Sequence, residues 1–170
     1  MRLILVRHGP AGLRDAERWP DDALRPLTSR GVRRSRDAAG GLGRVEPGIG
    51  LIASSPLERA MQTARVFARA LDVAVVEELD ALGPGGSRDR ILEFLATRAA
   101  DRSVMLVGHE PDLGELAGAL LFGSPSNLSL KKAGACAITF DAEARVGAGS
   151  LRWFLPAKML ARLASRRVHA

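Results

Sequence analysis

An unbroken apolar run, Leu3-Ile4-Leu5-Val6, opens the chain and stops abruptly at Arg7-His8-Gly9. A strand that is apolar on both faces must be covered on both, which points to a mainly parallel sheet between layers of helices. In open α/β sheets, ligands sit beyond the carboxyl ends of the strands. The residues that end this run therefore occupy a chemically privileged place. His8 can act as a nucleophile, a base or a metal ligand. Arg7 suits a planar anion such as phosphate or carboxylate, and Gly9 lets the backbone approach a bound group. Taken alone, the tripeptide fits an ordinary strand-to-loop junction equally well.

Strand and helix patterns alternate through the rest of the chain. Residues 10–27 read as loop. Thr28 caps a helix expected to run to about Leu42 and to end at Gly40, Gly41 and Gly43. Its Arg30, Arg33, Arg34 and Arg36 form a solvated basic face. A second strand covers Gly50 to Ala53, after which Ser55 and Pro56 read as the cap and first turn of a helix. The stripe Leu57, Ala60, Ala64, Phe67 and Leu71 carries that helix. A third strand is expected over Val73 to Val76, a short Gly/Pro turn over Leu79 to Ser87, and a helix from Arg88 to Ala99. Val104 to Val107 is a fourth strand ending at Gly108-His109, followed by a helix over Pro111 to Leu121. Cys136 to Phe140 and Leu151 to Leu155 are expected to be antiparallel neighbours, and Pro156 to Arg166 a closing helix. The pattern predicts a three-layer α/β/α sandwich: a mainly parallel sheet with at least one antiparallel strand. With 170 residues and no long linker, one domain over residues 1–170 is expected.

Composition narrows the classes of function. No apolar stretch approaches the ~18 residues of a membrane span, and no signal-peptide pattern opens the chain. One cysteine, Cys136, cannot form an internal disulfide, so a cytoplasmic setting is expected. No cluster of Cys, His and carboxylates has ligand spacing, so neither metal nor cofactor is expected. The net charge of +6 is almost wholly due to arginine, lysine occurring only at Lys131, Lys132 and Lys158. Aromatic residues are few and tyrosine is absent, which argues against a nucleic-acid stacking surface.

Two of the three histidines, His8 and His109, directly follow apolar strands and should share one rim of the sheet. His169 lies in the tail and is given no role. Arg59 falls in the first turn of the helix after the second strand, where unpaired N–H groups and the helix dipole favour an anion. By itself Arg59 is a surface residue of an amphipathic helix. Together, Arg7, Arg59 and that helix terminus would make a pocket for a dianion, and phosphate or sulfate is expected to occupy it.

Leu5-Val6-Arg7-His8-Gly9, Ser54-Ser55-Pro56-Leu57-Glu58-Arg59-Ala60 and Val107-Gly108-His109-Glu110-Pro111 resemble the motifs of the histidine phosphatase superfamily, with its phosphoglycerate mutase-like fold. Arg25-Pro26-Leu27-Thr28 and Leu130-Lys131-Lys132-Ala133-Gly134 are similar to its small SixA-like phosphohistidine phosphatases. The resemblance implies a nucleophile at His8, phosphate-binding arginines at Arg7 and Arg59, and a second histidine at His109. It also implies a covalent phosphohistidine intermediate and no metal. Larger relatives carry a carboxylate acid after the third strand. Here Glu78-Leu79-Asp80-Ala81 places alanine at that position, and Asp80 or Glu110 are the substitutes at hand. Nor is there room for a large cap insertion. The resulting expectation is a phosphatase of phosphohistidine, borne on a protein partner. Two alternatives stand beside it: a phosphatase of small phosphate esters or nucleotides, and a phosphate-binding module without turnover.

Overall fold

The computed structural model describes residues 1–98, 103–126 and 128–165. Six strands form one mixed sheet: β1 (Arg2–Arg7), β2 (Leu51–Ser54), β3 (Val76–Glu78), β4 (Ser103–Gly108), β5 (Ala135–Thr139) and β6 (Ser150–Leu155), in spatial order β3-β2-β4-β1-β5-β6. The first four run parallel, while β5 lies antiparallel to both β1 and β6. Five helices cover the sheet: α1 (Ser29–Val45), α2 (Glu58–Leu71), α3 (Arg88–Thr97), α4 (Asp112–Phe122) and α5 (Ala157–Ser165). This is the expected α/β/α sandwich with its late antiparallel pair.

The doubly apolar strands have the expected cause. Successive side chains point to opposite faces, so Leu3, Leu5, Leu51, Val104 and Leu106 join Ile91, Leu113 and Leu116 of α3 and α4. Ile4, Val6, Ile52, Met105 and Val107 instead meet Ala38, Phe67 and Leu160 of α1, α2 and α5. Each strand thus belongs to two cores.

Three features depart from the sequence expectation by more than a residue or two. The glycines of α1 do not end it; the helix runs on to Val45. Gly41 lies where α1 crosses α5, and a Cβ there would overlap the Leu160 carbonyl, so it serves close packing. The third strand begins at Val76 rather than Val73. Asp72 turns left-handed at the end of α2, and the Val73 N–H bonds back to Ala68 O at 2.9 Å, delaying the strand. Residues 10–27 contain a 3-10 helix, Asp22–Leu24, capped by Asp21. Ala99, Arg166 and His169 lie outside the described residues.

The neighbouring glycines of α1 give a paired prediction. A Cβ at exposed Gly40 would only touch Ala164 at 3.5 Å. Gly40→Ala should therefore stabilise the fold by about 0.5–1 kcal/mol through helix propensity. Gly41→Ala should destabilise it by about 1–3 kcal/mol through overpacking. Urea denaturation of both variants checks the pair, and equal shifts of the same sign would contradict it.

Candidate active site

The site forms where the carboxyl ends of β1, β4 and β2 lie side by side. Register pairs Arg7 with Gly108 and Ser54 with Val107. Beyond the strands, the His8 N–H donates to Gly108 O at 3.0 Å and the Ser55 N–H to Val107 O at 2.9 Å. The next residues out, His8, His109 and Ser55, are consequently neighbours. The two imidazole centroids are 5.0 Å apart. Both rings are buried, and so is Arg59, at 5 % exposed. The four residues picked out from the sequence, Arg7, His8, Arg59 and His109, thus converge on one site.

Each side chain is fixed by a specific partner. His8 Nδ1 lies 2.7 Å from Gly9 O. A carbonyl only accepts, so Nδ1 carries the proton and Nε2 keeps its lone pair. The Gly9 N–H donates to Thr63 Oγ1 at 3.0 Å, and Thr63 Oγ1 donates to Arg59 O at 2.7 Å, tying the His8 loop to the first turn of α2. Arg7 Nη1 donates to Leu130 O at 2.8 Å. Arg59 Nη1 donates to Asp22 O at 2.9 Å, and its Nη2 lies 3.2 Å from Asp22 Oδ2. His109 Nε2 is 2.9 Å from Ser55 Oγ. The Nε–H groups of Arg7 and Arg59 are buried and without an acceptor. The two guanidinium charges act on both imidazoles, and together they make a cationic recess suited to an oxyanion.

Electrostatics keeps both histidines neutral in the free site. Burial first, then the charges of His109, Arg59 and Arg7, lower His8 to about 3, against the opposing hydrogen bond to Gly9. Burial first, then Arg59 and Arg7, lower His109 to about 4. Lys132 joins the cationic rim: partial desolvation, then Arg7, Arg25 and Arg59, pull its ammonium below the usual range. Asp22 is held below the carboxylate range by its Arg25 hydrogen bond first, with Arg59 contributing. Burial raises Glu110, although it accepts the Leu130 N–H at 2.9 Å.

Some roles differ from the sequence reading. Ser55 is not the N-cap of α2, which is Leu57; its hydroxyl accepts the Leu57 N–H at 3.3 Å and also meets His109. Asp80 is exposed at the start of a 3-10 helix, and Ala81 is buried in the core. Ala81 lines a pocket of about 100 Å³ whose apolar floor includes Leu82, Ile91, Leu113 and Leu116, with Arg88, Asp112 and Glu115 also lining it. Asp22 was missed, and Arg25 was quoted only as part of a motif. Their signal was an Asp three residues before an Arg, which is common in exposed loops. Among the described residues, no group of three or more His, Cys, Asp or Glu is arranged to hold a metal ion, and no helix is long and apolar enough to cross a membrane.

Residues 3–83 match the model of the histidine phosphatase superfamily (branch 1). The phosphohistidine phosphatase SixA of Escherichia coli K12 is 31 % identical over 157 residues, 90 % of this chain and 92 % of that protein. The chain belongs to the histidine phosphatase superfamily. An uncharacterized protein of Picosynechococcus is 37 % identical over 168 residues, 92 % of this chain and all of its own. The structure of the protein histidine phosphatase SixA complexed with tungstate superposes with a TM-score of 0.82 at 29 % identity, covering 94 % of this chain and 99 % of that one.

An anion bound between the two guanidiniums should raise His109 from about 4 and so take up a proton. Sulfate, which keeps its charge near neutrality, should bind more tightly as pH falls, levelling off near the free value of about 4. Calorimetry in buffers of different ionisation enthalpy measures the proton uptake, and His109→Asn should remove most of it. Proton release, or affinity independent of pH, would contradict the assignment.

Proposed function

We infer that this protein is a phosphohistidine phosphatase that works through a covalent intermediate at His8. One observation carries the reading: a buried, neutral His8 whose Nδ1–H is held by the Gly9 carbonyl, leaving Nε2 unprotonated beside two arginines with unpaired Nε–H groups. Phosphoryl transfer asks mainly for in-line positioning and for positive charge around the equatorial oxygens. His8 Nε2 attacks phosphorus, the P–N bond of the substrate phosphohistidine breaks, and its electron pair leaves with the substrate ring, whose other nitrogen already carries a proton, so that neutral imidazole departs. Water then attacks the His8 phosphoryl group, giving phosphate and restoring neutral His8. Arg7 and Arg59 hold the oxygens as charge develops. His109, protonated once the dianion is in place, adds a third donor.

The acid and the surroundings favour this substrate over alkyl esters. A general acid is worth about 10²–10⁴-fold when the leaving group is poor. The position itself is held by core-facing Ala81, Asp80 is solvent-exposed, and Glu110 gives one oxygen to the Leu130 amide. An imidazole leaves more readily than an alkoxide, so phosphohistidine loses least. A substrate borne on a protein brings its own contact surface. The exposed Arg30, Arg33 and Arg36 of α1 are suited to steering an acidic partner.

In a panel of phosphohistidine peptide, sugar phosphates and nucleotides, the peptide should give the highest kcat/KM. His8→Ala should abolish turnover of all substrates while phosphate still binds, and Arg59→Ala should cost about 3 kcal/mol in transition-state stabilisation. Faster turnover of a sugar phosphate or nucleotide than of every phosphohistidine substrate would establish the small-ester alternative. No turnover of anything, with intact phosphate binding, would establish a binding module.

A further inference from the structure

Arg59 is not fixed by the helix that carries it. Its guanidinium is held by one residue of the loop that follows Gly9. Asp22 offers it two acceptors, the main-chain carbonyl for Nη1 at 2.9 Å and Oδ2 for Nη2 at 3.2 Å. Arg25 braces Asp22 from the other side, with Nε to Oδ1 at 2.8 Å and Nη2 to Oδ2 at 3.3 Å. Arg25 Nη1 in turn donates to Gly12 O at 2.7 Å. The loop is closed at its base by an Ala11–Leu27 bridge and by the Thr28 N–H donating to Pro10 O at 3.0 Å. A third cation, Arg14, stands 3.9 Å from Asp22 but is 85 % exposed and contributes little.

The two clamp arginines follow the same plan. Arg7 is anchored through Nη1 to Leu130 O, Arg59 through both Nη groups to Asp22, and each keeps a buried Nε–H without an acceptor. A planar guanidinium held at one edge can present only its remaining donors. We propose that Asp22 is the positioning residue of Arg59: by taking one N–H of each Nη nitrogen, it fixes the guanidinium in place and leaves the remaining N–H groups to the phosphoryl oxygens. This rests on the phosphate-binding role given to Arg59 above. Asp22 also places one negative charge next to the clamp, which weakens its hold on the product dianion. Because Arg25 keeps Asp22 ionised, it is no proton donor.

Geometry and charge separate in two variants of the full chain. Asp22→Ala loses the side-chain anchor and the charge, whereas Asp22→Asn loses the charge but keeps a carbonyl acceptor at the same place. With phosphoimidazole as substrate and inorganic phosphate as ligand, Asp22→Ala should lower kcat by about tenfold or more and weaken phosphate binding, since small displacements of a clamp are costly. Asp22→Asn should keep kcat within about threefold of the parent while binding phosphate more tightly. Arg25→Ala should follow Asp22→Ala. Asp22→Ala with parental kcat and phosphate affinity overturns the proposal. So does tighter phosphate binding in both variants with unchanged kcat, which would make Asp22 a competitor for Arg59 rather than its anchor. If Asp22→Ala melts below the assay temperature, Arg25→Ala decides: a roughly tenfold loss of kcat with weaker phosphate binding supports the role, and parental kcat and affinity overturn it. A parent protein that neither binds phosphate nor cleaves phosphoimidazole overturns the function above together with this role. Parental activity with indifferent variants overturns only the role of Asp22.

Discussion

The placement of β4 between β1 and β2 is what makes a site out of scattered residues. Parallel register sets Arg7 beside Gly108 and Ser54 beside Val107. Each strand then ends within a residue of its neighbour, and His8, His109 and Ser55 emerge together. No loop has to reach across the molecule to assemble them. The strands themselves are anchored on both faces by separate apolar cores, so the rim is as rigid as the sheet. A slip of one residue in the β1–β4 pairing would exchange the two cores and separate the histidines.

Rigidity carries an electrostatic cost. Two arginines and two imidazoles lie in a poorly hydrated pocket, and charges there are expensive unless compensated. The protein answers in two ways. It keeps both histidines neutral through burial and the nearby guanidiniums, and it brings one carboxylate, Asp22, onto Arg59. The free site is thus a clamp of two guanidiniums with neutral imidazoles rather than a cluster of four cations. On the proposed reading, a dianion would supply the missing negative charge and draw a proton onto His109, coupling affinity to protonation. The same neutrality keeps the His8 lone pair available for attack.

Much of this was legible in the chain because covalent adjacency carried it. Arg7-His8-Gly9 and Gly108-His109 each follow an apolar run directly, and wherever the strand goes, they end on its rim. Arg59 was legible through its helix position, although nothing local indicated that it would be buried. The rest depended on long-range contacts that no period encodes. Gly40, Gly41 and Gly43 looked like a helix end because their packing partners are distant in sequence: Ala164 and Leu160 on α5 for the first two, Leu71 on α2 for Gly43. Ser55 looked like a cap because its partner His109 is 54 residues distant. Asp22 sits in an irregular loop, and only the folded chain brings it to Arg59, 37 residues on.

The central claim is nucleophilic attack by one nitrogen of one histidine. Rapid acid-free quenching of turnover with labelled phosphohistidine peptide, followed by peptide mapping and phosphorus NMR of the trapped enzyme, tests it most directly. The Gly9 carbonyl holds the proton on Nδ1, so the phosphoryl group should be found on His8 and on its Nε2. A label on Nδ1 of His8 or on any other residue, or turnover that leaves no labelled enzyme under conditions that preserve phosphohistidine, would contradict this account of the site.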